Sequence, residues 1–153
     1  MKHYEVVCAI IENENGEVFC CKRGPGRALE GFWEFPGGKV EENETYEQTI
    51  VREIKEELNS VIEPIEYIGY SDYEYYNMAP YKDFSITLYG IRCRLVSGNL
   101  ELSEHTDKKW IKMKDMNKNE FAPADRPFIK WLLQTIIFIL VEIKNNFYNY
   151  SAI

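Results

Sequence analysis

The chain has 153 residues, of which 45% are hydrophobic and 14% aromatic, so it can bury one sizeable core and is not a mostly disordered protein. Its net charge of −7 argues against binding of long nucleic acid, which needs clustered Lys and Arg. The four cysteines form no C-x-x-C pair and only two histidines are present, which argues against a zinc site and favours reduced thiols in a cytoplasmic protein.

The first part of the chain is predicted to form a β-hairpin and a loop. The segments YEVVCAII and EVFCCKR flank Asn15-Gly16, which suits a tight turn because both residues accept positive φ angles. Residues 24–31, GPGRALEG, are predicted to form a glycine-rich loop, and the short apolar run FWEF follows it.

Residues 45–58 are predicted to form a helix. Thr45 and Gln48 match a capping box, in which each side chain accepts a hydrogen bond from the backbone N–H of the other residue. An apolar stripe repeats every four residues, at Tyr46, Ile50, Ile54 and Leu58. Asn59 follows, and asparagine tolerates the left-handed turn that ends a helix.

Extended segments are predicted after this helix, at VIEPIEYIGYS, FSITLYGIRCRLV and KKWIKM. A tyrosine-rich stretch over residues 70–81 is interpreted either as a lid or as a dimer surface, since tyrosine is enriched in interfaces. The order of strands, helix, strands and helix favours an α/β (α+β) fold with a mixed β-sheet between helices.

Pro127 is predicted to start a final helix that ends near Ile143. Its apolar stretch, residues 131–143, is shorter than the ~20 residues that a membrane span needs, so a buried or partner-packed helix is expected. One domain is therefore expected over residues 1–144, with residues 145–153 as a loose C-terminal tail.

Three carboxylates lie on one side of the predicted central helix. At ~100° per residue, Glu53, Glu56 and Glu57 fall in one band beside the apolar face. An ordinary solvated acidic face is the alternative interpretation. Gly37 and Gly38 lie a few residues before the helix, and glycine lets the backbone approach a ligand closely. Oxygen ligands of this kind select Mg²⁺ or Mn²⁺, which would offset the repulsion among the carboxylates.

The spacing of this region resembles the Nudix box, G-x5-E-x7-R-E-U-x-E-E-x-G-U. Gly38, Glu44 and the run at residues 52–57 match it. Asn59 and Ser60 depart from it, since the family has glycine and an aliphatic residue there. The segments FWEFPGGKVE and FAPADRPFIKWL extend the resemblance to the MutT branch and the CTP pyrophosphohydrolases. This resemblance implies a Nudix-type α/β/α sandwich with a mixed sheet.

The resemblance also implies a metal site and catalytic residues. Glu53, Glu56 and Glu57 would ligate Mg²⁺, with Mn²⁺ as the alternative, and the Gly37 carbonyl would assist. Glu104 corresponds to a further acidic ligand or to the general base, and Glu53 is the alternative base.

An ion pair between Glu44 and Arg52 is implied in turn. It would brace the loop that precedes the helix against the helix itself. Both residues are therefore expected to belong to the catalytic machinery without acting as metal ligands.

A second set of residues is expected to bind the substrate. Arg23 is interpreted as a phosphate clamp, with a surface charge as the alternative. Phe35 either stacks on the nucleobase or belongs to the core. Gly38 and Lys39 are expected to contact the substrate beside the metal site.

Asp125 is the candidate for reading the nucleobase. An ionised aspartate only accepts hydrogen bonds, which suits the cytosine N4 amine, although guanine also presents donors. A helix N-cap before Pro127 is the alternative. His105 is interpreted as a surface residue near Glu104.

The function implied is a Mg²⁺-dependent nucleoside triphosphate pyrophosphohydrolase that releases nucleoside monophosphate and pyrophosphate. Substrates like (d)CTP or modified nucleotides are expected; an 8-oxo-dGTP diphosphatase or a hydrolase of another nucleoside diphosphate derivative is the alternative. A binding module without turnover is disfavoured, because the box glutamates are all present. We expect a monomer or homodimer that cleans the cytoplasmic nucleotide pool and binds neither a membrane nor long nucleic acid.

Overall fold

The computed structural model of the chain describes residues 1–151, with side chains through residue 147. Its strands are β1 (Lys2–Glu12), β2 (Glu17–Lys22), β3 (Trp33–Glu34), β4 (Gly37–Lys39), β5 (Val61–Tyr75), β6 (Phe84–Ser97) and β7 (Asp107–Lys112). The two α-helices are α1 (Tyr46–Leu58) and α2 (Arg126–Ser151). Three short 3₁₀ helices, Met113–Asp115, Lys118–Glu120 and Pro123–Asp125, connect β7 to α2.

The strands form one mixed sheet, as predicted. Its main order is β3-β2-β1-β6-β5, with β4 paired to β1 and β7 paired to β2. β1 and β6 run parallel, whereas the other pairs are antiparallel. The central strand β1 therefore brings β4, and the glycine pair within it, next to the middle of the sheet.

The alternation of side chains along β1 separates two cores. Val7, Ala9 and Ile11 pack with α1 on one face of the sheet, whereas Cys8 and Ile10 pack with the first turns of α2 on the other. All four cysteines are buried and free. Helices on both faces give the predicted α/β/α sandwich.

The central helix forms where its sequence predicts it. The Thr45 side chain accepts a hydrogen bond from the Gln48 backbone N–H, and Gln48 reciprocates at the Thr45 N–H. Asn59 ends the helix in the left-handed conformation, with φ of 46°. Ser60, where the Nudix box has an aliphatic residue, is buried but satisfied, since its hydroxyl donates to Leu58 O and accepts from Leu100 N.

Part of the tyrosine-rich stretch belongs to a strand. β5 continues to Tyr75, which is buried, stacks on Phe84 and accepts a hydrogen bond from the Ala124 N–H through its hydroxyl oxygen. Tyr70 and Tyr73 lie on the same strand but are exposed. The stretch therefore mixes core and surface side chains, and Tyr75 is buried because it packs on Phe84 and bonds Ala124.

α2 is longer than predicted. It extends to Ser151, so the prediction of a loose tail is wrong for residues 145–151, while residues 152–153 lie outside the described part of the chain. The physical reason is that no glycine or proline follows Pro127 to end the helix. None of the described helices is both long enough and apolar enough to cross a bilayer.

Candidate functional site

A cleft of about 940 Å³ opens between β1, β4, α1 and the loop over residues 24–31. One group of lining residues consists of Gly37, Gly38, Lys39, Glu53 and Glu57, which we call the carboxylate cluster. Another group consists of Arg23, Glu34, Phe35 and Asp125. These two groups contain eight of the predicted site residues and Glu34, which was not predicted.

The glycine pair is required by close packing. A Cβ atom on Gly37 would lie 1.9 Å from the Val7 carbonyl oxygen, and one on Gly38 would lie 2.1 Å from Cδ of Glu53. A side chain at Gly37 would therefore push β4 away from β1, and one at Gly38 would displace the Glu53 carboxyl group. Because both positions are glycine, the backbone of β4 lies directly against the Glu53 carboxyl group.

Arg52 organises the carboxylates around α1. Its guanidinium donates two hydrogen bonds of 2.7 Å to the carboxylate of Glu44, so the predicted ion pair is present and bidentate. The same group donates to Glu53 at 2.8 Å, to Glu56 at 3.2 Å and to the Lys39 carbonyl at 3.2 Å. Arg52 thereby joins the loop before α1, the strand β4 and two turns of the helix.

These contacts change the proton affinities of both partners. The hydrogen bonds from Arg52 lower the pKa of Glu44 to about 2, and the pKa of Arg52 is raised chiefly by its bonds to Glu44. Burial, in contrast, raises the pKa of Glu53. It raises the pKa of Glu57 to about 7, with the neighbouring charge of Glu53 as the next cause. Two half-buried, mutually repelling carboxylates thus lie in the cleft, and the described positive partner, Arg52, contacts Glu53.

Arg23, Glu34 and His105 form a second set of contacts, which we call the arginine network. Arg23 donates to Glu34 at 3.0 Å through Nη1 and to the Ala28 carbonyl at 2.7 Å through Nε. His105 Nε2 lies 2.9 Å from Glu34 Oε1, and its Nδ1 is buried without a hydrogen-bond partner among the described residues. Only 6% of the His105 side chain is exposed, so the interpretation of it as a surface residue is wrong.

Phe35 and Asp125 are joined by a hydrogen bond from the Phe35 backbone N–H to Asp125 Oδ1 at 2.9 Å. The Phe35 side chain is only 2% exposed and packs against Phe121, although it also lines the cleft. Asp125 is buried, which raises its pKa. Its described hydrogen bond goes to Phe35 rather than to the first turn of α2, so the structure does not show the N-cap alternative.

Four predicted site residues do not line the cleft: Glu44 and Arg52, which pair with each other, and Glu56 and Glu104. Glu56 has a side chain that is 59% exposed and is held by Arg52. Glu104 is 47% exposed and forms an ion pair with Arg27. Lys39 does line the cleft, and its Nζ lies 3.9 Å from the ring centroid of Tyr4.

Known proteins share this arrangement of sequence and fold. The NUDIX domain profile matches residues 1–132. The chain belongs to the Nudix family. It is 33% identical to the 8-oxo-dGTP diphosphatase of Escherichia coli K12 over 129 residues, which cover 84% of this chain and 95% of that protein. It is also 33% identical to the CTP pyrophosphohydrolase of the same strain over 130 residues, 85% of this chain and 91% of that protein.

Solved Nudix structures superpose on the same region. The solution structure of the E. coli ORF135 protein has a TM-score of 0.70 and 32% identity, and the match covers 88% of this chain and 91% of that one. The solution structure of MutT from methicillin-resistant Staphylococcus aureus 252 has a TM-score of 0.66 and 32% identity, with 88% and 99% covered. The chain is thus a Nudix hydrolase, as the box predicts.

Nudix hydrolases generally use divalent metal cations, and part of this cleft suits such an ion. Glu53 and Glu57 supply the carboxylate oxygens that hard divalent cations prefer, beside the backbone of Gly37. Within residues 1–147, however, no three His, Cys, Asp or Glu side chains stand in an arrangement that holds an ion. The residues that fit are therefore Glu53, Glu57 and Gly37, whereas Glu56 and Glu104 point elsewhere.

Two residues of the arginine network escaped prediction, and one of them, Glu34, lines the cleft. Glu34 carries a signal in the sequence, because it is an acidic residue inside the apolar run FWEF, and such a residue needs a buried partner. His105 carries none, since its partner Glu34 lies 71 positions away in the sequence. Only the pairing of β2 with both β3 and β7 brings these two residues together.

Proposed function

We propose that this chain is a Mg²⁺-dependent nucleoside triphosphate pyrophosphohydrolase that releases a nucleoside monophosphate and pyrophosphate. The observation that carries the proposal is the carboxylate cluster, in which Glu53 lies against Gly38 and Glu57 lines the same cleft, which Arg23 also lines. The similarity to two E. coli enzymes named for nucleoside triphosphate substrates supports it.

Glu53, Glu57 and the Gly37 carbonyl would hold Mg²⁺ in this proposal. When bound, the cation neutralises charge on the phosphate oxygens and favours deprotonation of the attacking water. The raised pKa values of both glutamates in the free protein support a site that gains from a positive ion. Ligand roles for Glu56 and Glu104 stay predictions, because neither residue lines the cleft.

Arg23 would hold a phosphate of the substrate. A guanidinium has five N–H donors, and the described contacts of Arg23 use only Nε and Nη1. Its Nη2 therefore remains to donate to a phosphate oxygen, while Glu34 and the Ala28 carbonyl fix the plane of the group. This arrangement gives the residue a fixed orientation before substrate arrives.

The two candidates for the general base differ in their surroundings. Glu53 lines the cleft and is oriented by Arg52 and by the backbone of Gly38. Glu104 is half exposed and paired with Arg27 outside the cleft lining. We therefore assign the proton from the attacking water to Glu53, which lies within the site where the phosphates would be held.

Asp125 would read the nucleobase. Its Oδ1 is engaged by the Phe35 N–H, so Oδ2 of the ionised carboxylate is the atom left to accept a hydrogen bond from a base amine such as cytosine N4. This favours (d)CTP and modified cytosine nucleotides. A substrate of the 8-oxo-dGTP type is the second candidate, since the relative of that name is as similar as the CTP enzyme. Either activity would serve to clean the cytoplasmic nucleotide pool.

A panel of nucleotides tests the proposal. The panel contains CTP, dCTP, 5-methyl-dCTP, 8-oxo-dGTP and dGTP, with ADP-ribose and a dinucleoside polyphosphate for the other substrate classes. Pyrophosphate release with Mg²⁺, and its loss with EDTA, is the expected result, with the largest kcat/KM for a cytosine nucleotide. Turnover of ADP-ribose or the dinucleotide without pyrophosphate release from any triphosphate would contradict the proposal.

A further inference from the structure

The second half of α2 extends beyond the folded domain. The family profile ends at residue 132, and Leu132 is also the last buried residue of the helix within residues 1–147. Every residue from 134 to 147 is exposed. This segment is therefore an addition to the Nudix fold, and nothing in the domain requires it to be helical.

The exposed part of α2 is strongly apolar. Eight of its side chains are between 42% and 78% exposed: Ile136, Ile137, Phe138, Ile139, Leu140, Val141, Ile143 and Phe147. At up to ~200 Å² for a fully exposed side chain of this size, they leave roughly 800 Å² of apolar surface in water, of which Phe138 and Val141 contribute about a quarter. The largest apolar patch of an ordinary monomer is about 300–600 Å², while a stable interface buries about 800 Å² per partner. The segment is thus large enough to form an interface.

The apolar residues follow a heptad spacing. Ile136, Leu140, Ile143 and Phe147 are separated by four, three and four positions, which places them at alternating d and a positions of a coiled coil. Leu133 continues this spacing towards the domain, where it packs against the core. Leucine at a combined with isoleucine at d favours three or four helices over two. Ile137 and Ile139 widen the apolar face on both sides of this seam, as a bundle of more than two helices requires.

Charge argues against a membrane surface as the occupant. Between residues 133 and 147 the charged residues are Glu142 and Lys144 alone, and the whole chain has a net charge of −7. Helices that lie on anionic membranes instead carry rows of Lys and Arg on their polar face. Because the charges of Glu142 and Lys144 cancel, parallel copies of the segment have no net charge repulsion.

We propose that residues 133–147 of α2 assemble three or four copies of this chain into a coiled-coil bundle through Ile136, Leu140, Ile143 and Phe147. The Nudix domains would then be joined through a shared bundle of α2 helices, and each cleft would be formed by the residues of a single chain. This inference is independent of the proposed substrate, because it depends only on the helix that follows the domain.

Sedimentation equilibrium across micromolar concentrations tests the inference with a matched pair of variants. Leu140→Glu changes an a position of the seam, whereas Phe138→Glu makes the same kind of change at an f position on the outer face. The wild type and Phe138→Glu should sediment at three or four times the 18.1 kDa chain mass, and Leu140→Glu should sediment as a monomer. Ile143→Glu, a d-position variant, should also dissociate.

Three outcomes would overturn it. A monomeric wild type would show that no bundle forms. An oligomeric Leu140→Glu variant would show that the chains do not associate through the proposed seam. Equal dissociation by Phe138→Glu would show general adhesion of apolar surface. In a parallel flotation assay with vesicles of phosphatidylcholine and phosphatidylglycerol, the wild type should stay unbound, and binding by monomers would assign the segment to a membrane. Far-ultraviolet circular dichroism and pyrophosphate release verify that each variant has folded.

Discussion

The carboxylate cluster comes from residues that are close in the sequence, whereas the arginine network is assembled from distant parts of the chain. Gly38, Glu53 and Glu57 span 20 positions across one turn and one helix, so their spacing alone brings them together. Arg23, Glu34 and His105 come from the end of β2, from β3 and from the loop before β7. The carboxylate cluster is thus determined by local geometry, whereas the arginine network requires the whole sheet.

The largest expected effect lies in the carboxylate cluster. Glu57→Gln should lower kcat/KM with Mg²⁺ by on the order of 100-fold or more, because a ligand carboxylate is lost where the transition state needs a cation. The melting temperature should stay equal or rise, since burial and neighbouring charges already disfavour the ionised form of Glu57. Glu47→Gln, an exposed change on the same helix, is the control. Wild-type turnover by Glu57→Gln would show that Glu57 is not a metal ligand in this site.

Specificity should change through Asp125. Asp125→Asn keeps an oxygen for the Phe35 N–H but adds a donor, so the kcat/KM ratio of dCTP to 8-oxo-dGTP should fall by about tenfold. Asp115→Asn, an exposed aspartate in the first 3₁₀ helix, serves as the control. If the ratio is the same in both variants, Asp125 acts only as a tether for the Phe35 backbone.

The arginine network should affect substrate binding more than the chemical step. His105→Leu removes one hydrogen bond from Glu34, which loosens Arg23, so KM should rise by about tenfold while kcat stays within about twofold. His105→Gln should restore most of the loss, because its amide N–H reaches a position similar to that of Nε2.

The control for this pair is His3→Leu, which changes an exposed histidine. An equal fall in kcat for His105→Leu and His105→Gln would contradict a role in orienting Arg23, since it would show general damage to the fold.

The smallest effect should be one of stability. Glu44→Gln should lower the melting temperature at neutral pH by roughly 2–4 °C, because it breaks the bidentate pair with Arg52. The pKa of Glu44 is lowered from 4.5 to about 2 in the folded protein, so the pair stabilises the fold above the ordinary pKa. That stabilisation is lost as the pH falls from 4.5 towards 2.

Thermal melts of wild type and Glu44→Gln between neutral pH and pH 2 measure this difference. The two melting temperatures should converge as the pH falls. The exposed variant Glu63→Gln, whose partner is Arg94, should show little difference at any pH. A gap between wild type and Glu44→Gln that persists at low pH would show that the ion pair is not its cause.

The predictable parts of the molecule are those that follow from neighbouring residues. The capping box of Thr45 and Gln48, the apolar stripe of α1 and the left-handed Asn59 were all predicted from patterns within 15 residues. The ion pair of Glu44 and Arg52 followed from the resemblance to the Nudix box, and the structure shows it.

The parts that escaped prediction depend on contacts between distant residues or on the absence of a stop signal. The burial of His105 needs β7 to lie beside β2, and the strand that contains Tyr75 needs β6 as its partner. The length of α2 was underestimated because the last residues of a chain are often loose, although the segment after Pro127 contains no helix breaker.

Binding of Mn²⁺, measured by electron paramagnetic resonance in the presence of a non-hydrolysable dCTP analogue, tests the central claim most directly. Wild type and Glu47→Gln should hold the ion with equal affinity, while Glu57→Gln should bind it at least about tenfold more weakly. Equal affinity in all three proteins would show that the carboxylates of α1 do not hold the cation, which would contradict the proposed hydrolytic site.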